Sequence, residues 1–218
     1  SVYLNKKILD EHGLSVPESW TLDEYKDYAV KLTEGEGPNK RYGSTDFHVS
    51  YYWTMPARGA LGGNFWYKED GTSNFDHPAF RQALEFKHDL EVVEKVQFPF
   101  TELSSTKVQT FDLFMQERAA MAVSSNAITR FIADSEKYPR DFIATVAPMP
   151  TLTKDQSVNY NEGVYPFGLL AMSAKSKDKE ASWTFMKWLG TEGSKYLAQV
   201  GHLPAWKKSD KDEIMKIM

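Results

Sequence analysis

The sequence predicts an α/β fold, in which strands and helices alternate along the chain and pack in layers. Apolar residues that recur every three or four positions mark amphipathic helices, and Leu22, Tyr25, Ala29 and Leu32 form the clearest such stripe. Short continuous apolar runs mark buried strands, and residues 119–123 form the clearest of these. With 218 residues and 41% hydrophobic content, the chain is long enough to bury a core of this kind.

The first elements follow from local signals. A helix is predicted from Thr21 to about residue 33, because Thr21 and Glu24 have the spacing of a capping box. In that motif the hydroxyl accepts an amide of the first turn, and the carboxylate accepts the amide of the cap residue. A strand is predicted at residues 42–47, and a short helix at residues 57–61 ends at a glycine pair.

A β-hairpin and a second long helix are predicted next. Asp70-Gly71 lies between two aromatic-bearing runs, which is a strong hairpin signal. We expect Asp76 to cap the following helix, whose first turn tolerates Pro78 because the first amides of a helix have no partner within it. The apolar stripe predicted on this helix comprises Ala79, Ala83, Phe86, Leu90 and Val93.

The rest of the chain continues the alternation of helices and strands. We expect Ser176 to cap a helix, and a second helix to run from Thr191 to Gly201. The apolar side of the capped helix carries Ala181, Phe185, Trp188 and Leu189. The other predicted elements are helices near residues 108–115 and 128–132 and strands at residues 119–123, 141–147 and 166–172.

Composition and motifs narrow the function classes. A net charge of −4, evenly mixed along the chain, predicts no nucleic-acid partner. The absence of cysteine excludes disulfides and thiolate chemistry. The sequence has no nucleophile-elbow, Walker A or zinc-protease motif, so we predict that the protein is not an enzyme and needs no cofactor or metal. Two alternatives stay open: a carbohydrate-active hydrolase, because 30 acidic residues always permit a carboxylate pair, and a non-catalytic protein-interaction module.

Aromatic residues carry the positive case for a binding protein. Tyr51, Tyr52 and Trp53 lie in a loop after a predicted strand, where ligand sites of α/β sheets form. Aromatic rings stack on the C–H faces of sugars, whose hydroxyl groups need a few polar partners. The competing interpretation is that two of the three rings are core residues and one covers a helix end.

A second candidate segment is Ser124-Ser125-Asn126, which follows the strand at residues 119–123 and opens a helix. Its amides and side chains can donate hydrogen bonds to a hydroxyl group or an anion. The competing interpretation is an ordinary N-cap.

An ordered set of markers spans nearly the whole chain. Together they resemble the family 1 extracellular solute-binding proteins, the sugar-capturing components of ABC importers that include maltose-binding protein. The markers are Ser1-Val-Tyr-Leu-Asn5, Gly13-Leu14, Pro17-Glu-Ser-Trp20, Gly62-Gly63, Phe111 with Arg118-Ala-Ala-Met121, Ala147-Pro-Met-Pro150, Lys179-Glu-Ala-Ser-Trp183 and Gly201-His-Leu-Pro-Ala205.

The resemblance implies the second lobe of a type II periplasmic-binding-protein fold plus a crossover strand and helices. Residues 1–160 correspond to that lobe, and residues 161–218 to a segment that returns to a first lobe, which this fragment lacks. The implied function is extracytoplasmic binding of a sugar or oligosaccharide by hinge closure, for delivery to the membrane subunits of an ABC permease. The implied location is periplasmic or lipid-anchored at the cell surface, and we expect the fragment to self-associate.

The resemblance also implies which residues contact ligand. In the family the loop near Tyr52 reaches the ligand cleft, and the turn that holds Asn161, Glu162 and Tyr165 contacts ligand. Where the family usually has Gly and then Trp, this chain has Ser125 and Ala127, so one stacking platform is missing. The predicted ligand-binding residues are Tyr51, Tyr52, Trp53, Ser124, Ser125, Asn126, Asn161, Glu162 and Tyr165.

Overall fold

The computed structural model describes residues 1–45, 52–156, 170–199 and 203–217. The chain divides into two compact units. Unit 1 comprises Ser1–Ser124 and Tyr138–Val164, and unit 2 comprises Ser125–Lys137 and Tyr165–Met218. In the described ranges, no helix combines the length and the apolar character that crossing a bilayer requires.

Unit 1 is built on a four-stranded sheet in the order β2-β3-β1-β4. The strands are β1 (Val2–Asn5), β2 (Tyr42–Thr45), β3 (Ala119–Val123) and β4 (Ala144–Ala147). β1 lies antiparallel to both of its neighbours, with Leu4 opposite Met121 and Thr145, whereas β2 and β3 are parallel. The three strands predicted at residues 42–47, 119–123 and 141–147 are therefore confirmed within the described residues. The last of them is shorter than predicted, and residues 46–47 lie outside the described residues.

The main core lies on one face of this sheet. Because side chains alternate along a strand, Val2, Leu4, Met121 and Val123 share that face. Helix α1 (Lys6–Glu11) follows β1 directly, and helix α2 (Leu22–Lys31) follows α1 after a loop. The fully buried members of the core include Leu4, Ile8, Leu9, Tyr25, Ala29, Leu32, Leu90 and Met121.

The predicted capping box of α2 is confirmed. The hydroxyl group of Thr21 accepts the Glu24 amide at 3.3 Å, and the Glu24 carboxylate accepts the Thr21 amide at 2.8 Å. The hydrogen bond from the Thr21 backbone lowers the pKa of Glu24 below its usual value. One turn later, the buried Tyr25 hydroxyl lies 2.6 Å from Ser44 Oγ of β2, which satisfies both polar groups inside the core.

The short helix and the hairpin predicted in the middle of the chain are also confirmed. Helix α3 (Met55–Leu61) ends at Gly62, whose φ of 83° is the left-handed conformation that glycine tolerates. In the hairpin, the Lys68 amide donates to the Thr72 carbonyl at 2.8 Å. The Asp70 carboxylate accepts hydrogen bonds from the Thr72 hydroxyl and amide, and these bonds lower the pKa of Asp70.

The cap predicted for the next helix was wrong. Helix α4 (Pro78–His88) is capped by His77, whose Nδ1 accepts the Ala79 amide at 3.2 Å. Asp76 pairs instead with Lys68 at 2.7 Å. The backbone enters the helix one residue later than the sequence suggested, so the residue next to Pro78 occupies the cap position.

One member of the predicted stripe on α4 is not buried. Ala79, Ala83, Phe86 and Leu90 are buried, but Val93 is 59% exposed. Residues Asp89–Val93 form a π-helical turn, in which the Glu94 amide donates to the Asp89 carbonyl. The wider turn shifts the periodicity of the helix and rotates Val93 away from the core.

The remaining helices of unit 1 lead into β3. They are α5 (Phe100–Thr106) and α6 (Thr110–Met115). Phe98, Leu113 and Ala119 form a separate buried cluster beside them, and Phe114 packs edge-on against Phe142 with ring centroids 5.5 Å apart.

Unit 2 is helical in its described residues. Its helices are α7 (Thr129–Ala133), α8 (Lys179–Gly190), α9 (Lys195–Ala198) and α10 (Lys211–Ile217). Asp178 caps α8 by accepting the Ala181 amide at 2.9 Å, so the prediction of Ser176 as the cap was wrong. Ser176 instead donates its hydroxyl to the Asp178 carbonyl.

The strand predicted at residues 166–172 is not found in its described part. Residues 166–169 lie outside the described residues, and residues 170–172 have no regular structure. Leu170 and Met172 are exposed, and no strand among the described residues of unit 2 pairs with them. An apolar run becomes a strand only where a neighbouring strand supplies hydrogen bonds.

The packing of α2 on β2 predicts a strong effect at Gly43. A Cβ atom at this position would clash with the Ala29 carbonyl oxygen of α2. We therefore expect Gly43→Ala to lower the free energy of unfolding by about 3 kcal/mol, the cost of overpacking a rigid core. Urea unfolding monitored by tryptophan fluorescence measures this loss of stability, because Trp20 is buried in the same core.

Gly190→Ala is the matched control, since a Cβ at Gly190 meets open space. Equal stabilities for the two variants would contradict the close approach of α2 to β2.

Candidate ligand-binding site

The topology of unit 1 places the carboxyl ends of three strands at one edge of its sheet. β2 and β3 are parallel, and β1 is antiparallel to both β3 and β4, so β2, β3 and β4 all end at the same edge. The connection that leads to Tyr52 leaves β2 at this edge, and Ser124 follows β3 there. The carboxyl edge of strands is where ligands bind in open α/β sheets.

Tyr52 and Trp53 lie in the turn that opens α3. The Tyr52 carbonyl accepts the Met55 amide at 3.1 Å, which closes this turn. Both side chains are half-buried. Tyr51, the third aromatic residue predicted for the site, lies outside the described residues.

The two neighbouring rings pack in different places. Tyr52 packs against the main core, whereas Trp53 packs against a second cluster with Phe80, at a centroid distance of 6.4 Å. Leu152 contacts both clusters. The loop is thus anchored by its rings, and each ring keeps part of its surface in solvent. Partial core packing and partial exposure fit both the binding interpretation and its competitor, so the role of Tyr52 stays a prediction.

The second cluster extends onto the hairpin as an aromatic surface that sequence reasoning did not include in the site. Phe65 and Phe80 stack at 5.7 Å, and Phe75 lies 4.8 Å from Phe80 with 52% of its surface exposed. Trp66 packs on Phe75 at 5.2 Å, and Tyr67 is largely exposed. The signal was present in the aromatic runs on either side of Asp70-Gly71.

Ser124 ends β3 within unit 1 and is held by the first residue of the chain. Its amide donates to the Ser1 carbonyl at 3.1 Å, and its side chain is half-buried. This pairing continues the β1–β3 ladder by one residue beyond Val2 and Val123.

Ser125 and Asn126 belong to unit 2. Asn126 begins a short 3₁₀ turn, Asn126–Ile128, that leads into α7, so the prediction that this segment opens a helix is confirmed. The Ser125 carbonyl accepts the Ile128 amide, and the Asn126 carbonyl accepts the Thr129 hydroxyl at 2.6 Å. The Ser125 side chain is exposed.

The other predicted site residues, Asn161, Glu162 and Tyr165, lie outside the described residues. Within the ranges that are described, no three His, Asp or Glu side chains gather closely enough to hold a metal ion.

Unit 2 carries an aromatic face of its own on α8. Trp183, Phe185 and Trp188 are exposed, although the sequence placed Phe185 and Trp188 on the apolar side of this helix. Phe185 stacks on Trp188 at 6.0 Å, and Trp188 lies 6.2 Å from Tyr196. We refer to Phe185, Trp188 and Tyr196 as the α8 face, whereas Trp183 lies on the opposite side of the helix.

Comparison with known proteins identifies the family that this chain matches. Residues 1–196 match the model of a protein family described as bacterial extracellular solute-binding protein. The match covers unit 1 and most of unit 2, and it includes every residue predicted for the site.

Solved structures share the fold. An ABC substrate-binding protein from Listeria monocytogenes in complex with cycloalternan is 21% identical, with a TM-score of 0.68 over 99% of this chain and 52% of that chain. UgpB from Mycobacterium tuberculosis in complex with glycerophosphocholine is 19% identical, with a TM-score of 0.68 over 97% and 51%. The maltose/maltodextrin-binding domain MalE from Bdellovibrio bacteriovorus bound to maltotriose is 19% identical, with a TM-score of 0.63 over 99% and 56%.

These comparisons show the fold of the chain and how much of the matched structures it spans. The likeness confirms the predicted type II periplasmic-binding-protein fold, and at this level of identity it shows the fold alone. The chain spans about half the length of the structures it matches.

Proposed function

The chain belongs to the bacterial extracellular solute-binding protein family, and on this premise we propose that it captures a carbohydrate outside the cytoplasm for an ABC importer. The family match over residues 1–196 is the observation that carries the proposal. Two of the three structures described above hold sugars, which are cycloalternan in one and maltotriose in the other. The aromatic residues Tyr52 and Trp53, which follow β2 in the chain, fit this ligand class.

The proposed mechanism is closure of two lobes over the ligand, followed by delivery to the membrane subunits of an ABC permease. Ligand that contacts both lobes binds the closed state more tightly and so shifts the population toward it. In this proposal the chain supplies one lobe and part of another, which agrees with its span of about half the length of the proteins it matches. Binding of this kind involves no bond-making, and we propose that the protein is not an enzyme.

In the proposed site, Tyr52 stacks on a sugar ring with Tyr51 or Trp53 beside it. The anchoring of Tyr52 and Trp53 on two separate clusters supports this role, because a ring that is already ordered loses little entropy on binding. Ser124, Ser125, Asn126, Asn161, Glu162 and Tyr165 are the proposed hydrogen-bonding residues.

The structure in complex with glycerophosphocholine points to an alternative ligand class, in which recognition would depend on charge. An aromatic loop accepts either ligand, because rings stack on sugar faces and also bind quaternary ammonium groups through cation–π contacts. The carbohydrate is favoured because the other two structures hold sugars.

We expect Tyr52→Ala, in a protein that carries both lobes, to weaken sugar binding at least several-fold while the melting temperature changes little. A stacking ring contributes about 1 kcal/mol beyond area burial, and a half-buried ring adds modestly to stability. Calorimetric titration with a panel of oligosaccharides, together with a thermal melt, measures both effects.

The matched control for Tyr52→Ala is Phe86→Ala, because Phe86 is buried in the main core. Phe86→Ala should cost about 3–5 kcal/mol of stability. If Tyr52→Ala unfolds the protein or leaves affinity intact, the loop is core packing and the site assignment is wrong.

The chain by itself should bind sugar poorly. A cleft shared by two lobes takes roughly half of its contacts from each, and affinity falls steeply when half are missing. Calorimetry of residues 1–218 with oligosaccharides should show no binding tighter than about 1 mM, which corresponds to about 4 kcal/mol. A micromolar dissociation constant would mean that this chain holds a complete site.

We also propose that residues 1–160 form one lobe and that residues 161–218 return to another. The α8 face supports this division, because three exposed aromatic rings packed together on unit 2 are costly to leave in water. In the proposed assembly, chain from the other lobe covers this face.

The uncovered α8 face should make the isolated chain self-associate. Sedimentation velocity over a range of concentrations should show dimers or larger species for the wild type. The double change Phe185→Ser and Trp188→Ser should shift the distribution toward monomer, because it removes the stacked pair from the surface. Leu84→Ser is the control, an exposed apolar residue on α4 of unit 1. A monomeric wild type at all concentrations would contradict the prediction.

A further inference from the structure

Two aromatic side chains of the hairpin form an exposed surface that the proposed site does not use. Trp66 is half-buried, Phe75 is 52% exposed, and their ring centroids lie 5.2 Å apart. We refer to this pair as the hairpin platform. Trp66 lies 5.8 Å and Phe75 lies 4.8 Å from Phe80, so both rings rest on one buried aromatic residue.

The hairpin backbone holds the platform in place. The Asn74 amide donates to the Trp66 carbonyl at 2.9 Å, and the Asn74 side chain donates to the Phe65 carbonyl at 3.1 Å. The buried Phe65 ring lies 4.2 Å from the Trp66 ring. Because the two rings are ordered before any ligand arrives, little entropy is lost when a ligand stacks on them.

The charges beside the platform favour a neutral ligand. Lys68 is the only basic residue between Phe65 and Asp76 in the sequence, and its ammonium group pairs with the Asp76 carboxylate at 2.7 Å. Since this cation is already paired, the hairpin attracts an anionic ligand weakly. Asn64 and Ser73 are exposed in the same segment and offer polar groups to the hydroxyls of a sugar whose C–H face stacks on the rings.

The platform is continuous with one residue of the proposed site. Trp53 lies 6.4 Å from Phe80, the same ring on which Trp66 and Phe75 rest. One aromatic cluster therefore reaches from the turn that opens α3 to the hairpin. All of these residues belong to unit 1.

We propose that the hairpin platform is a second carbohydrate-binding surface, on which rings of a neutral oligosaccharide or polysaccharide stack outside the cleft. This inference rests on the proposed function for its ligand class alone. Unlike a cleft shared by two lobes, the platform lies wholly within unit 1, so the 218-residue chain carries it complete. Two rings that are open to solvent bind weakly, so the test has to detect weak binding.

Native gel electrophoresis of the 218-residue chain tests the platform, in gels that contain soluble starch, arabinoxylan or galactomannan. At least one of these polysaccharides should retard the wild type relative to a gel without polysaccharide. Phe75→Ala should weaken the apparent affinity about fivefold, the effect of losing one stacking ring. Phe75→Leu should weaken it similarly, and it keeps an apolar cover on Phe80 if Phe75→Ala fails to fold.

Phe100→Ala is the matched control, since Phe100 begins α5 of the same unit and is 50% exposed. It should leave the retardation unchanged. Tyr52→Ala separates the platform from the proposed cleft, which is incomplete in this chain, and it should also leave the retardation unchanged.

Two results would overturn the platform and leave the cleft proposal standing. One is a wild type that none of the three polysaccharides retards, and the other is retardation that persists undiminished in Phe75→Leu. Loss of retardation in Tyr52→Ala would count against the platform too, because the sugar would then bind at the loop. Choline chloride, added to the gel, should not release the protein, and release would show that the rings take a quaternary ammonium group instead.

Discussion

The pairing of β1 between β3 and β4 is the constraint on which the rest of unit 1 depends. β1 has four residues, all buried, and each of its neighbours comes from more than a hundred residues further along the chain. Because β1 runs opposite to the other strands, the carboxyl ends of β2, β3 and β4 meet at one edge. The strand ends that precede Tyr52 and Ser124 in the chain therefore lie at the same edge of the sheet.

Helix α2 is the second support of that edge. It packs so closely on β2 that its Ala29 carbonyl leaves no room for a side chain at residue 43, and its Tyr25 hydroxyl binds Ser44 inside the core. At its end, the connection to β2 carries Glu34, which lies 2.8 Å from the His12 ring, and Arg41, which donates to Glu34. Packing and electrostatics thus fix the position of β2 beside β3.

Folding and the proposed binding share residues in this loop. Tyr52 and Trp53 anchor on different clusters, and Leu152 from the segment after β4 contacts both clusters. A ring held in this way is already ordered before any ligand arrives, which reduces the entropy lost on binding. The hairpin rings Tyr67 and Phe75 continue the aromatic surface of the second cluster toward solvent.

The sequence by itself determined the elements whose signals are local: the capping box of α2, the strand β3, the hairpin at Asp70-Gly71 and the aromatic loop. Periodicity and turn chemistry act over a few residues, so they can be read without the fold. Tertiary structure decided the caps of α4 and α8, the exposure of Val93 and the α8 face, and which cluster each loop ring joins. These depend on a one-residue shift of the backbone or on what packs nearby, and neither is encoded within a single segment.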